Sequence, residues 1–413
     1  MKPPGEFSLP AWPKRELVRG DMAALAVITA LLFINWDGGI PPGQLVPTVL
    51  FCWLLHVVFF TVGTRQTAAW LRVWAEGRPG RFLVVPLLLS GLLYAYVLSA
   101  KGVPWHWPDV KPWAALAYLA AVPLAAILPV LLFFRHTTAG EAKPVAGWDF
   151  LLFALAAGVA GGLRFPFDRI PLTGESFETA SRLTLLLTLV YAAVVVRRLK
   201  LVGFNLSFAW RDLALTLGCW GVMLLLFVAL LYPAGLVTYV GYQDLTLRGF
   251  QSGTRYFLFH LFSVGAFEEL VFRGVFQNML AQKTERLSDQ TRKRLLTGGA
   301  VVFAVAAFAA TFLIADARLR WFPPLIVLLV FAATHWIENR FKVQKGEYLV
   351  LAIISVIFGI AHYRFGVVFM ALACLAGWFD GFVYTKTKNV FLAALIHALL
   401  NCSAMFLGLH KNF

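Results

Sequence analysis

Residues 256–281, YFLFHLFSVGAFEELVFRGVFQNMLA, decide what kind of molecule this is. Only three formal charges interrupt the run, Glu268, Glu269 and Arg273, and they fall within six positions of one another. About 20 apolar residues at 1.5 Å each cross the hydrocarbon core of a bilayer, so a run of this length reads as a membrane-spanning helix. A single strand is excluded there, because backbone polar groups in lipid must be satisfied within their own segment.

The same pattern repeats outward in both directions. Thirteen apolar runs stand out, roughly 22–36, 44–63, 82–100, 113–134, 148–163, 183–196, 213–240, 256–281, 298–315, 322–337, 349–363, 367–385 and 390–408. Of the 413 residues, 60% are hydrophobic and 14% charged, with a mean hydropathy of +0.75. Soluble domains run near 45–50% apolar and about 25% charged, so this chain cannot hide its apolar surface in water. A soluble enzyme, a disulfide scaffold and a disordered protein are excluded. The expected fold class is all-α, a polytopic integral membrane helix bundle of about 13 transmembrane helices.

The net charge of +15 comes from 36 Lys and Arg against 21 Asp and Glu. These cations lie in short loops, where the positive-inside rule sets orientation. With the N-terminus inside, about 24 fall in inside segments and about 11 outside, and Arg273 lies within a span. The basic excess therefore points to a membrane protein with its N-terminus inside. No aromatic-plus-basic groove or zinc-finger spacing points to nucleic acid. Cys52, Cys219, Cys374 and Cys402 all sit in apolar runs without a C-x-x-C pair, as small buried hydrophobes do. The opening stretch Met1 to Asp21, with four prolines and scattered charges, does not read as a cleavable signal peptide.

Chemistry divides the chain better than composition does. Residues 1–205 form an N-terminal membrane region of about six spans with no assignable chemistry, and residues 206–413 carry polar groups into the membrane. A charge at the bilayer centre costs about 2.5–3.5 kcal/mol on insertion scales, so such groups are read as functional. Those well inside spans are Glu268, Glu269, Arg273 and Asp380, while Asp149 sits at a span edge. Glu269 and Arg273 are four residues apart on one helix face and can pair. Glu268 is turned about 100° from Glu269, so it is the carboxylate left free for general-base work. The competing reading is a polar clamp between helices, with Asp380 or a histidine as partner.

Two histidines join this group. His397 and Asn401 project together at i and i+4, as do Phe358 and His362. Counted along their helices, Glu268, His362 and His397 all fall inside the membrane and not at its faces. His260 and His335 also lie in spans and read as packing or hydrogen-bonding residues.

Together these residues carry a family resemblance. Glu268-Glu269-Leu270-Val271-Phe272-Arg273-Gly274 resembles the E-E-x-x-x-R motif, often E-E-x-x-F-R-G, of the CPBP family, the CAAX proteases and bacteriocin-processing enzymes of the type II CAAX prenyl protease group. Phe358 to His362 is similar to its F-x-x-x-H motif and His397 to Asn401 to its H-x-x-x-N motif, within residues 250–408. The resemblance implies an intramembrane endopeptidase acting on a membrane-embedded or lipid-anchored peptide or protein. It implies that Glu268 and His362 activate water, that His397 and Asn401 stabilise the oxyanion, and that Glu269 and Arg273 are structural support. Two apolar runs between Arg273 and His362, and the N-terminal spans, exceed the family pattern.

The resemblance leaves glutamate-dependent and metal-dependent hydrolysis both open. The H-E-x-x-H zinc signature is missing, and the reading taken is without a metal; a zinc-dependent enzyme would use Glu268, His362 and His397 as ligands. Expected partners are membrane lipid and the substrate, with no nucleic acid, and the expected location is a bacterial cytoplasmic membrane. Two rival functions remain. A proton-coupled transporter or channel would use Glu268, Asp380 and the histidines as a relay, and a catalytically silent scaffold or immunity protein would keep the helices alone.

Overall fold

The computed structural model describes residues 12–34, 42–76, 78–99, 112–134, 144–162, 177–199, 202, 206, 208–233, 235–240, 246–285, 287–314, 316–340 and 346–411. Most of the opening stretch, residues 1–11, lies outside them. The described residues are helical apart from turns and one ribbon of two short antiparallel strands, β1 (Val237–Tyr239) and β2 (Leu409–Lys411). The chain divides into two compact units, Met1–Ser207 and Phe208–Phe413.

The first unit contains α1 (Lys14–Ile34), α2 (Pro42–Thr61), α3 (Arg65–Ala75), α4 (Val84–Ser99), α5 (Pro112–Phe134), α6 (Gly147–Gly162) and α7 (Phe177–Tyr191). A buried ion pair joins Asp149, in the first turn of α6, to Arg197 just beyond α7 at 2.6 Å. Arg197 also donates to the Pro144 carbonyl at 3.0 Å, so this guanidinium is satisfied without water.

The second unit contains α8 (Trp210–Leu231), α9 (residues 247–284), α10 (Asp289–Ala310), α11 (Phe322–Arg340), α12 (Glu347–Ala361), α13 (Val367–Thr387) and α14 (Val390–Phe406). Its centre is α13, along which Ala371 to Gly381 is buried without interruption. By contrast α8 and α10 turn most of their apolar side chains outward. Leu225 is 72% exposed and Val302 65%. In water such helices would be costly; in lipid they need no cover.

Among the described residues, six helices are long and apolar enough to cross a membrane: Lys14–Ile34, Gly43–Thr61, Trp210–Leu231, Asp289–Leu313, Ala317–Arg340 and Val367–Thr387. Shorter apolar helices accompany them, Glu347–Ala361 and Val390–Ala404 among them. The two runs that exceed the family pattern belong to α10 and α11. The second is built into the core, where Trp378 on α13 donates its indole N–H to Thr334 on α11 at 3.0 Å.

Two local features set the geometry of the polar groups. The first is the turn between α13 and α14. Lys388 takes a left-handed conformation (φ 53°) and donates its N–H to the Tyr384 carbonyl at 2.7 Å, closing α13. The Asn389 side chain then accepts the Phe391 N–H at 3.0 Å and opens α14. With only Lys388 and Asn389 between them, the two helices run antiparallel. Asp380 lies eight residues before Lys388 and His397 eight residues after Asn389, so they sit level across the hairpin.

The second feature is in α9. Its helix widens over His260–Gly265 and again over Leu270–Gln277 into i→i+5 turns, leaving a single ordinary turn, Ala266–Glu269, between them. Such widened turns are rare and recur at functional sites. Gly265 lies where α9 meets α14: a Cβ there would stand 3.1 Å from the Ala394 carbonyl and 2.9 Å from that of His260. Glycine thus lets the two backbones approach and sets Glu268 and Glu269 beside His397.

Candidate active site

The charged residues of the second unit converge from four helices. Glu268, Glu269 and Arg273 come from α9, His362 from the end of α12, Asp380 from α13 and His397 from α14. They form two layers that differ in access. Glu268 and His362 keep 24% and 15% of their side chains exposed, whereas Glu269, Arg273 and Asp380 are sealed; His397 lies between, at 9%.

In the accessible layer, Glu268 Oε2 stands 3.5 Å from His362 Nε2 and 3.9 Å from His397 Nε2. His362 Nδ1 lies 2.8 Å from the Phe358 carbonyl, which can only accept, so this nitrogen carries the proton and Nε2 faces Glu268. The ring is held among aromatics, 4.7 Å from Phe358 and 5.7 Å from Phe369 between centroids. A carboxylate oxygen opposite an imidazole nitrogen can share one proton with it and take another from water.

The sealed layer is an ion-pair network. Arg273 Nε donates to Glu269 Oε2 at 2.9 Å, and the guanidinium carbon stands 5.0 Å over the Phe358 ring. The other Glu269 oxygen, Oε1, is 3.1 Å from His397 Nδ1, and Asp380 Oδ2 is 3.5 Å from the same nitrogen. Gly377 leaves room for the guanidinium: a Cβ there would meet Phe358 at 2.8 Å and Arg273 Nη2 at 3.1 Å. One turn further on, Gln277 ties α9 to α13 through the Gly381 carbonyl at 3.2 Å and the Thr385 hydroxyl at 2.9 Å.

The structure therefore brings Glu268, His362 and His397 together, and Glu269 with Arg273 behind them. Asn401 follows His397 by one turn of α14 and is half-buried; among the described residues it has no hydrogen bond or ion pair with the other five. Two span histidines outside the motifs, His260 and His335, have local partners. His260 Nδ1 lies 2.9 Å from the Tyr256 carbonyl, and His335 Nε2 lies 2.9 Å from the Asn339 amide. Asp380 is the residue whose place the motifs do not reveal. Its signal is the equal spacing about Lys388 and Asn389, which sets it opposite His397.

Among the described residues, the His, Cys, Asp or Glu donors that cluster within 4.8 Å of one another are Glu269, Asp380 and His397. They do not suit a divalent cation. Glu269 already accepts from a fully buried guanidinium, and a second cation beside it would face uncompensated repulsion in a low dielectric. A proton on His397 Nδ1, donated to Glu269 Oε1 and facing Asp380 Oδ2, offsets the charge of the same carboxylates.

Residues 332–403 match the family model "Type II CAAX prenyl endopeptidase Rce1-like". The matched segment runs from α11 through α14 and includes Phe358, His362, His397 and Asn401, whereas Glu268 to Arg273 precede it. No curated protein and no solved structure matches the chain. The match agrees with the CPBP resemblance and supports a CAAX-type membrane protease; nothing favours a transporter, a channel or a silent scaffold.

Proposed function

We propose, from the Rce1-like type II CAAX prenyl endopeptidase segment at residues 332–403, that this chain is an intramembrane endopeptidase that hydrolyses a membrane-embedded or lipid-anchored peptide or protein. The observation that carries the reading is Glu268 Oε2 at 3.5 Å from His362 Nε2, on two side chains that are partly exposed in front of a sealed network. In this mechanism Glu268 and His362 take a proton from water as its oxygen bonds to the scissile carbonyl carbon. His397 and Asn401 donate to the oxyanion that forms. Donors of this kind are typically worth about 10²–10³ in rate. The proton then passes to the amide nitrogen, the C–N bond breaks, and a carboxylate and an amine leave. Glu269 and Arg273 hold the assembly from behind.

The mechanism is written without a metal. Glu268, His362 and His397 offer the carboxylate and imidazole donors zinc accepts, and a bound zinc would supply Lewis-acid polarisation of the water. We place about thirteen crossings in a bacterial cytoplasmic membrane with the N-terminus inside, residues 1–205 forming a membrane region apart from the protease region 206–413. Lipid and the substrate are its partners, and nucleic acid is not.

The test is cleavage of a quenched peptide library, with and without a farnesyl group on a cysteine, by the full chain in nanodiscs. Wild type is compared with Glu268→Ala and His362→Ala, each with and without a zinc chelator. Cleavage lost in both variants but kept with chelator is expected. Cleavage lost with chelator assigns zinc to Glu268, His362 and His397, and equal cleavage by wild type and both variants overturns the proposal.

A further inference from the structure

His397 faces both layers of the site through its two ring nitrogens. Its Nε2 stands 3.9 Å from Glu268, while its Nδ1 is faced by two carboxylates on different helices, Glu269 on α9 at 3.1 Å and Asp380 on α13 at 3.5 Å. The Asp380 carboxyl is 99% buried, and neither of its oxygens has a hydrogen bond in the structure. A charge so placed is costly unless a neighbour compensates it. Arg273 is engaged by Glu269 through Nε, and its Nη atoms form no hydrogen bond to Asp380. Among the described residues, the ion-pair partner of Asp380 is His397, set level with it by the Lys388–Asn389 turn.

We propose that Asp380 is a positioning residue for peptide hydrolysis: with Glu269 it holds the Nδ1–H of a His397 imidazolium, so that Nε2–H is aimed past Glu268 at the oxygen of the reacting carbonyl. This rests on the endopeptidase reading of the site. Carboxylates accept and do not donate when ionised, so two of them keep a hydrogen on Nδ1, fix which way the ring faces and leave Nε2–H as the donor toward the site. An orienting carboxylate behind a histidine is a recurrent device of hydrolases, and its loss lowers turnover without abolishing binding. Asp380 touches neither water nor substrate in this scheme and acts through His397. Because Glu269 remains on the same nitrogen, the loss here is partial.

The test uses the full chain in nanodiscs, with a farnesylated quenched peptide selected from the library as the probe. Asp380→Asn removes the charge at nearly unchanged volume, and Asp380→Glu restores it. The expected result is a kcat lower by about 10- to 100-fold in Asp380→Asn with KM within about 2-fold, and partial recovery in Asp380→Glu. A second readout needs no substrate. Nitrogen-15 spectra of histidine-labelled protein, with the His397 signal assigned by comparison with His397→Gln, report which ring nitrogens carry a proton. Wild type is expected to be protonated at both ring nitrogens, and Asp380→Asn to shift toward a neutral ring.

Wild-type kcat together with an unchanged His397 spectrum in Asp380→Asn overturns the proposal. So does a loss of folded protein in Asp380→Asn that Asp380→Glu fails to restore, which would make the residue a packing element only. If wild type cleaves no peptide, the endopeptidase reading fails by itself, and the nitrogen spectra still decide whether Asp380 holds His397.

Discussion

Arg273 shows how much of this site is local helix geometry. Its pairing with Glu269 follows from four-residue spacing and is legible in the sequence, because both side chains belong to one helix face. Its surroundings are not legible in the same way. The Phe358 ring beneath the guanidinium and the Gly377 gap beside it come from two other helices. Removing one member of a fully buried pair leaves the other charge uncompensated, at a cost of about 3–5 kcal/mol. Arg273→Ala should therefore destabilise the fold on that scale, measured by reversible unfolding in detergent, and Arg273→Lys should recover only part, since an ammonium lacks the planar fork. Glu268→Gln, in the accessible layer, should leave the same unfolding curve nearly in place. Equal destabilisation by both substitutions would contradict the division into an open and a sealed layer. Asp149 illustrates the opposite limit of legibility: its partner Arg197 is 48 positions away, and no periodicity connects them.

At the scale of elements, the apolar runs announce helices because a spanning segment has no other way to satisfy its backbone. They do not announce the two widened stretches of α9, which keep the apolar composition of the helix around them. The first of them ends at Gly265, where the helix comes against the backbone of α14. Gly265→Ala would place a methyl 2.9 Å and 3.1 Å from two backbone carbonyls, neither of which can rotate away. Overpacking of this kind costs about 1–3 kcal/mol. The variant should unfold at lower temperature and lose cleavage, because α9 must withdraw from α14 and take Glu268 with it. A Gly265→Ala enzyme with wild-type turnover would show that the close approach is incidental. The meeting of Asp380 with His397 is in principle readable from the equal arms about Lys388 and Asn389. That reading requires knowing the turn to be two residues long, which sequence alone leaves open.

Over the whole molecule, the placement of apolar side chains on the outside of α8 and α10 is what marks lipid as the solvent. The composition makes this legible as a class, but not which helices carry the exposed surface, since most runs are apolar on all faces. Val302 lies near the middle of the Asp289–Leu313 span and is 65% exposed. Val302→Arg should cost about 2.5–3.5 kcal/mol in insertion, read as loss of membrane-integrated protein in a glycosylation-mapping assay. In an aqueous protein the same exposed substitution would be nearly neutral, so unchanged integration would place α10 against water. The hairpin of α13 and α14 carries a different constraint. One added residue in either arm would slide its polar side chain by about 1.5 Å and turn it through about 100°. Insertions and deletions between Asp380 and His397 are therefore barred even where substitutions are free, so among descendants of this chain length should be frozen in this hairpin while its lipid-facing letters drift.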